Sequence, residues 1–73
     1  MKRDALIQQL TQAEARIARE ERGIAEQRVL IRALRSNGQD TRGAEAVIAT
    51  MREALFIHQQ DRERILKALG ECR

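Results

Sequence analysis

The chain has 73 residues, a formal net charge of +3 and 34% charged positions, so one small folding unit is the ceiling. Twelve of its fourteen basic residues are arginine, eleven alanines dilute the 42% apolar content, and Phe56 is the one aromatic side chain. That composition leaves little bulk for a core, lacks the roughly 20-residue apolar run that spans a bilayer, and with Cys72 as the single cysteine excludes an intrachain disulfide framework.

The start, Met1-Lys2-Arg3-Asp4, has no signal-peptide core behind it. With a lone thiol, this predicts a cytoplasmic protein without membrane attachment. Helix 1 is predicted over residues 3–36. Leu6, Leu10, Ala13, Ile17, Glu20, Ile24, Gln27, Ile31 and Leu34 recur at alternating spacings of four and three, which puts them on one stripe of a helix. Ile7, Ala18, Ala25 and Leu30 widen that stripe. Gly23 lies mid-helix, where glycine costs about 1 kcal/mol relative to alanine; it marks either local weakness or a close helix–helix approach.

Residues 37–40 form the predicted loop. Asn37-Gly38 is a turn signal, with Gly38 able to adopt the left-handed conformation that closes a helix. Asp40 or Thr41 is then placed to cap the next helix. Helix 2 is predicted over 41–69, with Ala44, Ile48, Met51, Leu55, His58, Arg62, Ile65 and Leu69 in the same alternation. Val47, Ala54, Phe56, Ile57, Leu66 and Ala68 widen its apolar side. Two helices of roughly 50 and 43 Å joined by a short loop pack as an antiparallel hairpin. Residues 1–73 are therefore read as a single all-α unit, an antiparallel two-helix hairpin.

Facing residues across such a hairpin have numbers summing to about 78. Leu34 then meets Ala44, Ile31 meets Val47 or Ile48, Gln27 meets Met51, and Ile24 meets Leu55. Beyond them Glu20 meets His58, Ile17 meets Arg62, Ala13 meets Ile65 and Leu10 meets Leu69. The polar exceptions Glu20, His58 and Arg62 thus gather within about one helical turn. A charge at a seam is costly unless paired, so these three are predicted to form one hydrogen-bonded cluster, with Glu21 or Glu14 as substitute carboxylates. Its structural reading is a device that fixes helix register; its chemical reading is a proton-sensitive contact through histidine.

The apolar surplus flanking both stripes predicts self-association into a four-helix bundle, with a homodimer as the simplest closed form. Ile17, Ile24, Ile31, Ile48, Met51, Leu55, Ile65 and Leu69 are assigned as its core. Arg28, Arg32 and Arg35 form a basic stripe at the end of helix 1, with Arg42 just past the loop. They read either as helix-end stabilisation and solubility or as a basic tip that contacts an anion. Elsewhere charges of both signs alternate, and Glu63–Lys67 has the favourable i,i+4 orientation. No catalytic constellation, metal-ligand spacing or phosphate-binding glycine loop occurs, so no catalytic residue, cofactor or metal is assigned. Cys72 reads as an incidental terminal thiol.

The stretches Glu21-Arg22-Gly23-Ile24-Ala25-Glu26-Gln27-Arg28, Leu34 to Thr41, Ala44-Glu45 and Leu55 to Leu66 resemble a group of small helical-hairpin proteins of rhizobial and related bacteria. The resemblance covers residues 14–69 in outline. That group often carries histidine at the position of Gly23, and a loop ending Gly-His-Asp-Thr in place of Gly38-Gln39-Asp40-Thr41. The resemblance implies a bacterial helical hairpin and carries over no assigned chemistry. The sequence therefore predicts a non-enzymatic, self-associating interaction or scaffold module with itself or another protein as partner. The alternative is a small nucleic-acid-associated dimer using the basic tip.

Overall fold

The computed structural model describes residues 2–72. Two helices, α1 (Lys2–Ser36) and α2 (Arg42–Glu71), account for nearly all of them, and no strand occurs among the described residues. The helices lie antiparallel in a rod of 57 × 14 × 13 Å. Among the described residues, no helix is long and apolar enough to cross a membrane.

The turn is built by Gly38, which has φ +68°. The amide of Gln39 donates to the carbonyl of Leu34 at 2.8 Å and that of Gly38 to Arg35 at 3.1 Å, the paired bonds of a Schellman closure. An L-side chain is strained in this conformation by about 1 kcal/mol. Gly38→Ala is expected to cost that amount, visible as a fall in Tm of about 4–8 °C. No neighbouring atom crowds the new methyl group, so the whole effect is conformational.

At the start of α2 the first amide is satisfied by Asp40. Its Oδ1 accepts from the Arg42 amide at 2.9 Å, whereas Thr41, at φ −103° and ψ −1°, makes no side-chain capping bond. The sequence pattern predicts the end of helix 2 at 69, ahead of Gly70. The helix instead runs through Gly70, which keeps a negative φ, and closes with the Cys72 amide on the Leu69 carbonyl at 3.1 Å. Cys72 is half-buried, beside Lys2 and Ala68.

The alternating stripes supply the buried seam. Ala13, Ile17, Ile24 and Ile31 of α1 are buried, as are Ala44, Ile48 and Ile65 of α2. Near the turn, Ile24, Ile31, Ala44 and Ile48 form one cluster with Leu34, Met51 and Leu55 packed against it. Met51 lies over Gly23, its Cε and Sδ at 3.1 and 3.3 Å from where a β-carbon would stand, so this glycine leaves room for the end of the Met51 side chain. The eight residues assigned to an oligomer core therefore lie along the seam of a single chain. Ile17, Ile24, Ile31, Ile48 and Ile65 are already buried there, and Met51, Leu55 and Leu69 partly so.

The flanks remain open. Leu30 and Val47 are 44% and 40% exposed, Phe56 61% and Ile57 62%, and Ile7, Val29 and Leu66 are exposed as well.

Candidate functional site

The seam repeat sorts the remaining side chains onto two edges of the rod. Residues one before Ile17, Ile24, Ile31, Ile48 and Leu55 lie along one edge, which holds Arg16, Gly23 and Leu30 of α1 with Val47 and Ala54 of α2. Residues one after Leu6, Gln27, Leu34, Ala44, Met51 and Ile65 lie along the other. That edge holds Ile7, Arg28 and Arg35 of α1 with Glu45, Arg52 and Leu66 of α2. Antiparallel pairing sets like edge beside like edge.

Between the buried ends of the seam, the polar layer forms in part. Nδ1 of His58 lies 2.7 and 2.9 Å from the two carboxylate oxygens of Glu20. An ionised carboxylate only accepts, so Nδ1 carries the proton and donates. The side chains are 29% and 17% exposed, so the contact is partly shielded from solvent. Arg62 does not join them. Its terminal nitrogen reaches Glu63 at 3.7 Å, and its Nε is buried without a partner. The expected three-residue cluster is thus a pair plus a separate arginine, with Arg62 about one turn farther from the loop than His58. Glu63, turned toward Arg62, makes no ion pair with Lys67 within 4 Å among the described residues. The Glu20–His58 pair opens onto a shallow hollow flanked by Arg16 and Arg19. Among the described residues, no group of three or more His, Cys, Asp or Glu side chains is placed to hold a metal ion.

The four arginines read as one basic tip separate by environment. Arg42 is engaged by Asp40, with Nε at 3.1 and 3.0 Å from the two carboxylate oxygens and Nη2 at 2.7 Å from Oδ2. This fork-on-carboxylate contact satisfies the guanidinium locally. The side-chain bonds from Arg42, then its backbone amide, hold the Asp40 carboxyl below the ordinary aspartate value. Arg42 thus has a local carboxylate partner that Arg28, Arg32 and Arg52 lack, on a surface where both groups stay exposed. Arg35 makes a single contact with Glu45 at 3.4 Å on an exposed surface, a weak pair. Arg28 and Arg32 form no ion pair among the described residues, and neither does Arg52.

Arg52 was not singled out from sequence. It stands across from Arg28 in a groove that Ile31, Arg35, Glu45, Ile48 and Ala49 also line; a second hollow, with Glu21, Ile24 and Leu55, continues along the same edge. The facing-residue rule places Arg52 near Arg28 when it is applied to edge positions as well as to the seam. Compared with protein-family models, curated proteins and solved structures, the chain matches none.

Proposed function

We propose that this chain is a non-enzymatic, self-associating helical module of the cytoplasm, in which two hairpins pack edge to edge as a four-helix bundle. The observation that carries this reading is the edge holding Gly23, Leu30, Val47 and Ala54. Over this length near the turn it bears no charge, and Leu30 and Val47 stay two-fifths exposed or more while the seam behind them is filled. Water contact with such side chains is unfavourable by about 25 cal/mol per Å², and a chain this short has little core to offset its ordering entropy. A second copy offers the same uncharged edge, and a two-fold axis sets each Leu30–Val47 pair against its counterpart.

Light scattering coupled to size exclusion tests this. The expected mass is twice the 8.4 kDa of one chain, falling to the single-chain mass for Leu30→Glu combined with Val47→Glu. Circular dichroism of that variant checks that the helices persist. A single-chain mass for the unaltered protein over a wide concentration range would overturn the proposal.

A further inference from the structure

We infer that the groove between Arg28, Arg35 and Arg52 is a contact site for the phosphate backbone of a nucleic-acid duplex. Three arginines from two helices border one groove. Arg32 follows Arg28 by four residues and precedes Arg35 by three, so the α1 arginines share one face. Arg28, Arg32 and Arg52 are without an ion pair among the described residues, and the Arg35 contact with Glu45 is a single exposed one at 3.4 Å. Guanidinium forks are matched to phosphate oxygens and need no reprotonation to act.

The floor favours a phosphate backbone over an acidic protein. Ile31 and Ile48 are buried between the helices, and Ala49 is small, so little apolar area is left to form the dry centre of a protein–protein contact. Backbone recognition requires no such centre, since neutralising phosphates and releasing counterions supplies most of the affinity. Single strands are captured by aromatic stacking. The only aromatic side chain, Phe56, does not line the groove, so a duplex is the fitting form. The groove also lies on the edge opposite Leu30 and Val47, so edge-to-edge pairing leaves both copies facing outward.

Fluorescence anisotropy with labelled mixed-sequence DNA and RNA duplexes, titrated across salt concentration, tests the site. With the DNA duplex the logarithm of affinity should fall against the logarithm of salt with a slope of about −2.7 per hairpin if three arginines engage phosphates, and Arg28→Gln or Arg52→Gln should each reduce its magnitude by about 0.9. Arg42→Gln is the internal control and should leave the slope unchanged, because Asp40 already holds that guanidinium. Binding of both duplexes identifies the shared phosphodiester chemistry, and preference for one identifies its source. Absence of binding at about 50 mM salt overturns the inference. So does equal loss on Arg42→Gln and Arg52→Gln, or Arg52-dependent binding of polyglutamate as tight as that of the duplexes. Mass measured in the same buffer separates this outcome from self-association: a single-chain protein that keeps the slope and its Arg52 dependence fails only the dimer proposal.

Discussion

Arg62→Met should stabilise the hairpin by about 1–2 kcal/mol, because it removes a buried polar donor that nothing satisfies. Arg62 occupies a seam position, flanked in the repeat by His58 and Ile65. Its Nε is buried without an acceptor, and its one ionic contact, to Glu63 at 3.7 Å, is long and on the solvent side. The side chain is one-third exposed, so the charged end keeps much of its hydration while the Nε loses its own. Methionine retains an unbranched stem of similar reach and can fill an irregular gap. Urea unfolding would show a higher midpoint with an unchanged slope. A lower midpoint would mean that the guanidinium is worth more at the seam than its contacts indicate. Arg62→Lys is the matched control: it lacks the Nε donor but keeps a charge, and should recover only part of the gain.

The contrast between this arginine and the seam around it shows what the sequence makes legible. An apolar stripe recurring at three and four residues has one low-energy arrangement, since any other buries charge. The seam residues therefore emerge directly, and so does the turn at Gly38, where backbone sterics leave few alternatives. Polar partners are less determined. Glu20 has two hydrogen-bond donors within about one turn of its opposite position, and spacing alone does not decide between a histidine ring and a longer guanidinium. Arg42 belongs by position to a basic tip, yet a carboxylate two residues earlier at the helix start takes it up. Arg52 is distant in sequence from the other groove arginines, and the antiparallel packing brings it beside them. Leu30 and Val47 stay exposed on one edge of the hairpin, and neither the repeat nor the hairpin geometry names a partner for them.

Glu20→Ala should destabilise the hairpin by about 1–3 kcal/mol, by leaving a largely buried imidazole donor without its acceptor. His58→Ala should cost a similar amount, since it strands the carboxylate. The two losses should not add. A double-mutant cycle is expected to return a coupling of about 1 kcal/mol or more, as for hydrogen-bonded neighbours with a charged partner; additive losses would show that the 2.7 Å contact contributes nothing in solution. Glu20→Leu with His58→Leu separates stability from specificity. Filling the layer with apolar side chains joins the Ile24–Ile48 cluster near the turn to Ala13, Ile17 and Ile65 beyond it, and should equal or exceed the unaltered protein in urea. If the pair fixes register, the more apolar seam, then interrupted by Gln27 and Arg62, permits a one-turn slip, and amide NMR spectra should show more than one set of seam resonances. A single sharp set would assign the pair no role in alignment, which would then rest on Gly38 and the turn hydrogen bonds alone.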